Sequence, residues 1–229
     1  KCIVYLGFGF GFDSESLEES GIPQLIELID LYDVDGFFLD GPSQSFLKAP
    51  LFPEKCKDLF RKEVGVDFPT GDDHPEAFRF RRWANRHLDA FHEKTNRAVL
   101  ERKPDALLIY NGSWMIRYPV TPPPSIKLIQ WDVATPAKEG VYACSYSLEG
   151  RYLATYEDRS FSMHNVRGRD WIEYSLREPE AFMHESALLL ACCGKPYLSD
   201  NPYPSGNPDP ALTEIYQAVN RQTQALEPY

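Results

Sequence analysis

The chain has 229 residues, 43% of them hydrophobic and 25% charged, an ordinary globular balance with room for one large domain or two small ones. Its net charge of −10, from 34 acidic against 24 basic side chains, disfavours a nucleic-acid partner, because phosphate binding needs a basic footprint. No apolar run approaches the roughly 20 residues of a membrane-spanning helix, so no membrane partner is expected.

Strand-like and helix-like patterns alternate along the chain. Residues 2–6 form an apolar run, expected as a strand, that opens into Gly7-Phe8-Gly9-Phe10-Gly11. Residues 23–32 carry Pro23 in the first turn and Leu25, Ile26, Leu28, Ile29 and Tyr32 at 3.6-residue spacing, which predicts a helix. Residues 36–40 predict a second strand, continuously apolar as strands covered on both faces are, and it stops on Asp40. Residues 53–64 predict a short amphipathic helix carrying Cys56, Leu59, Phe60 and Val64. A long helix starting at Asp73 or His74 runs to Arg102, where Lys103-Pro104 stops it. Its apolar stripe is Ala77, Phe80, Ala84, Leu88, Phe91 and Ala98, while Arg79, Arg81, Arg82 and Arg86 form a solvated face. Residues 106–110 are the third strand, ending on Asn111-Gly112. Residues 117–125 hold four prolines and exclude regular structure. Residues 126–131 are the fourth strand, ending on Asp132, and 148–156 a short helix. Residues 160–163 are the fifth strand, with His164 just after it. Residues 179–193 are a helix stopped by Gly194, with Cys192-Cys193 as buried small residues at its end. Residues 196–199 are the sixth strand, leading into Asp200, and 210–226 the final helix.

This alternation predicts an α/β fold with parallel crossovers. Polar residues at successive strand ends (Asp40, Asn111, Asp132, Asp200) suit the mouth of a (β/α)8 TIM barrel better than a single Rossmann crevice. A full barrel takes about 250 residues. Some two strands are unaccounted for, so the expectation is a partial or trimmed barrel: one catalytic-barrel domain over residues 1–229. A start at Lys1 and a stop at Tyr229 are expected of a piece of a longer chain.

The chemistry is narrowed by what the motifs are not. The glycine run is GxGxG rather than GxGxxG, with acidic and serine residues behind it, and reads as a loop at the barrel mouth rather than a nucleotide site. His87 and His92 are five apart, not four, and His184-Glu185 does not open an HExxH. The five cysteines include no CxxC pair, so neither metal nor cofactor is assigned. GxSxG and P-loop motifs are missing as well. What remains is carboxylates at strand ends. Asp40 either acts chemically or caps the Asp40-Gly41-Pro42 turn. Paired carboxylates are the machinery of glycoside hydrolysis, and the partner candidates are Asp132, Glu149 and Glu157. Glu149, at the start of its predicted helix, either leans over the mouth or serves the helix dipole. Asn111-Gly112-Ser113 matches a glycosylation sequon, but an asparagine at a strand end is expected to hydrogen-bond substrate, and His164 is placed as a second substrate contact.

Two stretches carry a family likeness. Gln24-Leu25-Ile26-Glu27-Leu28-Ile29, followed by Tyr32-Asp33-Val34-Asp35-Gly36-Phe37-Phe38-Leu39-Asp40-Gly41, resembles the helix and strand that carry the nucleophile in α-L-fucosidase barrels. The whole chain resembles the fucosidase-like group of hypothetical glycoside hydrolase barrels. The likeness includes the Cys56 helix, the Phe78-Arg79-Phe80-Arg81-Arg82-Trp83 helix and the run from Gly194-Lys195-Pro196 to Asp209-Pro210. The resemblance implies a retaining glycosidase acting on α-L-fucosides or related glycosides. Asp40 would be the nucleophile, with Asp132 first and Glu149 second as acid/base. Asn111, Trp114, Trp131 and His164 would line the sugar pocket, the aromatic rings stacking on sugar faces. It also implies a carbohydrate substrate, no cofactor, and homo-oligomers formed through a downstream domain. The alternative is a non-catalytic carbohydrate-binding barrel that keeps its aromatics and one unmatched acid.

Overall fold

A computed structural model of the chain describes residues 2–7, 17–40, 54–71, 73–111, 124–132, 142–156, 159–166, 174–200 and 203–227. The Gly-rich run at 8–11, most of the proline-rich loop at 117–125, Trp114 and Glu157 lie outside these residues. The chain divides into two compact units, Lys1–Lys127 and Leu128–Tyr229, each built on one three-stranded parallel sheet. Parallel neighbours need crossovers, and helices supply them here. The result is a mixed α/β architecture with six α-helices among the described residues.

The first unit runs β1 (Ile3–Gly7), a π-helical turn (Leu17–Gly21), α1 (Ile22–Leu31), β2 (Gly36–Asp40), α2 (Glu54–Val64), α3 (Ala77–Arg102) and β3 (Leu107–Tyr110). The strand order is β1-β2-β3, with Tyr5 opposite Phe38 and Phe38 opposite Ile109. Residues paired in register share a face, and alternate residues take opposite faces. One face therefore carries Val4, Leu6, Phe37, Leu39, Leu108 and Tyr110. Helix α3 covers it: the Tyr110 hydroxyl donates to Asn96 Oδ1 at 2.7 Å, and the Tyr110 and His92 rings lie 4.1 Å apart. The opposite face carries Tyr5, Phe38 and Ile109, with Asp40 next in line.

Helix α3 starts at Ala77, a few residues later than its sequence predicts. Ahead of it the chain turns, with His74 N–H donating to the Gly71 carbonyl and the His74 ring accepting from Glu76 N–H at 3.1 Å. Its amino-terminal half packs on α2 through a cluster of Phe60, Phe68, Ala77, Phe80, Trp83 and Ala84, the Phe68 and Phe80 rings meeting edge to face at 4.9 Å. Arg79, Arg82 and Arg86 are exposed, whereas Arg81, expected on the same solvated face, is half-buried. Beyond Phe91 the buried stripe continues through His92, Thr95, Asn96 and Val99 rather than through Ala98. Polar side chains can occupy that stripe when their hydrogen bonds are met: Thr95 donates to the Phe91 carbonyl at 2.9 Å and Asn96 to Ser125 Oγ at 2.7 Å.

The second unit runs β4 (Leu128–Asp132), α4 (Tyr142–Leu153), β5 (Ser160–Val166), α5 (Pro179–Ala191), β6 (Lys195–Ser199) and α6 (Pro210–Leu226), with strand order β4-β5-β6. Helix α4 begins six residues before the predicted start at 148 and buries Tyr146, Gly150 and Leu153. Strand β5 runs three residues past the predicted end at 163, so His164 and Asn165 lie inside the strand. Its polar composition hid it, yet both residues are buried and bonded: Tyr146 donates to the His164 carbonyl at 3.0 Å, and Asn165 Nδ2 donates to Glu185 at 2.6 Å. Helix α6 has the bounds its sequence predicts, with Asp209 accepting from Ala211 N–H at 3.0 Å as its cap.

The end of α5 corrects the cysteine reading. Cys193 N–H donates to Leu190 and Gly194 N–H to Leu189, a Schellman arrangement in which Cys193, not Gly194, takes the left-handed conformation at φ 61°. Cys192 is half-buried and Cys193 exposed. Gly194 is needed for space instead, since a Cβ there would sit 2.4 Å from the Phe161 ring. Gly36 is needed for the same reason in the first unit, where a Cβ would lie 2.0 Å from the Leu107 carbonyl oxygen and push β2 off β3. Substituting Gly36→Ala should lower stability by about 3 kcal/mol in urea unfolding. Gly71→Ala, where a Cβ meets nothing within 4 Å, should change it by less than about 0.5 kcal/mol.

Candidate functional site

Strand β2 delivers Asp40. Phe37, Phe38 and Leu39 are buried, and the strand ends on a carboxylate at its carboxyl end. That carboxylate is held from both neighbouring strands. From β1, the Tyr5 hydroxyl donates to Asp40 Oδ2, with the Tyr5 ring stacked on Phe38 at 5.4 Å. From the end of β3, Asn111 Nδ2 donates to Asp40 Oδ1 at 2.9 Å. Asn111 is itself fixed, because its N–H continues the ladder onto the Leu39 carbonyl at 3.0 Å. Each carboxylate oxygen thus accepts one side-chain hydrogen bond and keeps lone-pair capacity. Asn111 Oδ1 is buried and accepts no hydrogen bond among the described residues. A buried acceptor left open costs free energy.

The second unit separates its candidates by face. Trp131 pairs in register with Met163, and its buried indole donates to Glu149 Oε2 on α4 at 2.5 Å. Trp131 and Glu149 therefore engage each other on the helix-covered face. Glu149 sits in the body of α4, so the local reading of it as a helix amino-terminal charge is corrected: the helix begins at Tyr142. His164 lies on the alternate face of β5, its ring stacked on Tyr197 of β6 at 4.6 Å. Asp132 closes β4 in the register position opposite His164.

Behind β5 lies a charged pair. Arg177 and Asn165 both donate to the Glu185 carboxylate, and the Arg177 guanidinium sits 4.8 Å from the Phe182 ring centre. Their partners lie on α5 and the segment before it, so this network ties α5 to the sheet and does not face the His164 side.

Strong pKa shifts follow burial. Burial pushes His92 down to about 3, leaving it neutral, and raises Tyr110 above its ordinary value. Burial raises Cys56 to about 11. Burial, with the charge of Glu93 one turn away, raises Asp89 to about 6. All follow from core packing of α2 and α3. Among the described residues no three His, Cys, Asp or Glu side chains gather as a metal set. Two surface grooves in the first unit lie away from Asp40. One of about 510 Å³ is lined by Leu31, Tyr32 and Arg102 near the amino end of β2, and one of about 440 Å³ by Ile22, Lys94 and Arg97.

Of the residues expected at the site, the structure joins Asp40 with Asn111 in one unit and pairs Trp131 with Glu149 in the other. Tyr5 escaped the sequence reading. Strand alternation was the available signal, since Tyr5 stands two residues before the strand-end Gly7, as Phe38 stands two before Asp40.

No protein-family model matches the chain, and no curated protein sequence does. Solved structures do. The chain is similar to α-L-fucosidase isoenzyme 2 from Paenibacillus thiaminolyticus, with a TM-score of 0.64 and 19% identity, over 93% of this chain and 30% of that one. It is also similar to bee venom hyaluronidase in complex with a hyaluronic acid tetramer, with a TM-score of 0.54 and 10% identity, over 87% of this chain and 72% of that one. The fold is glycoside-hydrolase-like. At these identities the likeness is one of fold, and this chain spans less than a third of the fucosidase's length.

The Asp89 shift has a pH signature. Its folded-state value of about 6 lies above the ordinary 3.8, so the unfolded chain releases this proton first as pH rises. The folded state then loses stability between roughly pH 4 and pH 6 on account of this group. Asp89→Asn should raise the melting temperature at pH 7, with the gain vanishing near pH 4, when scanned by circular dichroism at both values.

Proposed function

We propose that this chain is catalytic barrel sequence of a retaining glycoside hydrolase, with Asp40 as the nucleophile. The observation that carries this is the setting of Asp40: a carboxylate at the carboxyl end of a buried parallel strand, held by Tyr5 and Asn111, in a glycoside-hydrolase-like fold. In (β/α)8 barrels that end of the strands bears the active site. The partial or trimmed (β/α)8 barrel belongs to the proposal, and the fold likeness to two glycoside hydrolases supports it.

In the first step an Asp40 oxygen adds to the anomeric carbon while the bond to the leaving oxygen breaks, and the acid/base carboxyl delivers a proton to that oxygen. In the second step water adds to the same carbon. The Asp40–carbon bond breaks with its electron pair returning to Asp40, and the acid/base carboxylate takes the water proton. Asp132 is the first choice for that acid/base, from its strand-end position beside His164 in register. Glu149 is second, because Trp131 already engages it. Asn111, His164 and Trp114 are proposed to line the sugar pocket. The substrate class is proposed as α-L-fucosides or related glycosides, supported by the sequence likeness around Asp40 and by the similarity in fold to an α-L-fucosidase.

The test is release of 4-nitrophenol from a panel of aryl glycosides, α-L-fucoside included, by the full-length protein and its Asp40→Ala variant. Turnover of one glycoside should fall at least about a thousandfold in the variant, with azide restoring part of it as a glycosyl azide of inverted configuration. Undiminished turnover in Asp40→Ala would remove the nucleophile assignment. Failure of the wild-type protein on every glycoside would favour the non-catalytic carbohydrate-binding alternative.

A further inference from the structure

We infer that Tyr5 is a positioning residue for Asp40, supplying the hydrogen bond that holds one carboxylate oxygen through both halves of the reaction; this rests on the reading of Asp40 as nucleophile. The geometry begins with the β1–β2 register. Tyr5 stands opposite Phe38, which makes it the diagonal neighbour of Asp40, a separation that a long side chain bridges across paired strands. Its ring lies on Phe38 with an interplanar angle of 26°, which aims the hydroxyl along the strand toward Asp40. Tyr5 is 57% exposed, yet its hydroxyl donates to Asp40 Oδ2.

The partner oxygen is held separately, by Asn111 at 2.9 Å. Two donors on two oxygens, from the strands on either side, fix the carboxylate's rotation about its Cβ–Cγ bond. With Asn111 alone that rotation would be restrained at one oxygen. The hydrogen bond also matters when the covalent intermediate breaks. As water adds to the anomeric carbon, the bonding pair returns to Asp40, and the Tyr5 O–H is already aimed at the carboxylate that reforms. A donor placed ahead of time where charge develops accelerates that step without reorganising. No proton leaves Tyr5 at any stage.

Tyr5→Phe keeps the ring on Phe38 and deletes only the hydroxyl. On an activated aryl glycoside, whose leaving group departs readily, breakdown of the intermediate limits turnover. The variant's kcat should fall roughly 10- to 100-fold, with KM falling alongside and a pre-steady-state burst of nitrophenol as the intermediate accumulates. An unchanged kcat, or a loss with KM constant and no burst, would overturn the role. A second readout needs no turnover: labelling of Asp40 by a water-soluble carbodiimide, followed by peptide mass spectrometry. Freeing Oδ2 of its donor should speed labelling in Tyr5→Phe at least about threefold, in line with the net worth of one hydrogen bond to a charged group. Equal labelling rates would overturn the positioning role whatever the assay gives. If the wild-type protein turns over no glycoside, the glycosidase reading falls, and labelling alone decides whether Tyr5 holds Asp40.

Discussion

Slipping β2 by one residue against β1 or β3 would turn Asp40 to the helix-covered face and Leu39 to the other, because side chains in a strand alternate with a period of two. Everything observed around Asp40 depends on that register. It sets Phe38 under the Tyr5 ring, brings the Tyr5 hydroxyl and the Asn111 amide to opposite oxygens of one carboxylate, and sends Phe37 and Leu39 into the core. Gly36 helps secure the register from the other end of β2, since its lack of a Cβ lets the strand lie directly against the Leu107 carbonyl. A packing constraint at the start of the strand is thereby linked to the placement of the carboxylate at its end.

The second sheet follows the same rule with a different result. Alternation along β4 and β5 divides Trp131, Met163 and Asn165 from His164. The first group faces helices and is used there: Trp131 holds Glu149 on α4, and Asn165 joins Arg177 at the buried Glu185 carboxylate before α5 and on it. A buried carboxylate needs such partners, because an uncompensated charge in the interior costs several kcal/mol. His164 is the residue left on the other face, against Tyr197. Aromatic and acidic residues near one another in sequence thus serve different faces.

Perturbed titration in this molecule reports burial. His92, Tyr110, Cys56 and Asp89 are shifted because α2 and α3 bury them, and burial disfavours the charged form wherever it occurs. The proposal for Asp40 rests on its position and its two donors.

Much of the fold was legible from pattern alone. The continuous apolar run of β2, the proline-led α1 and α6, and the strand–helix alternation placed the elements, because hydrophobic periodicity and caps are local properties. The strand-end location of Asp40, Asn111 and Asp132 came from the same source. Sequence could not mark the buried polar stretch of β5 or the early start of α4, since those residues become favourable only once Tyr146, Glu185 and the sheet ladder meet their hydrogen bonds. It marked Gly194 as the helix stop but not why a glycine is needed there, because the need for space beside Phe161 exists only in the packed chain, where Cys193 takes the left-handed conformation. It also left Tyr5 unnoticed. By itself the sequence determined where along the chain the strands of the two sheets lie and where a carboxylate ends one. Tertiary structure decided which side chains meet that carboxylate, because cross-strand neighbours are set by pairing register, a relation between segments distant in the chain.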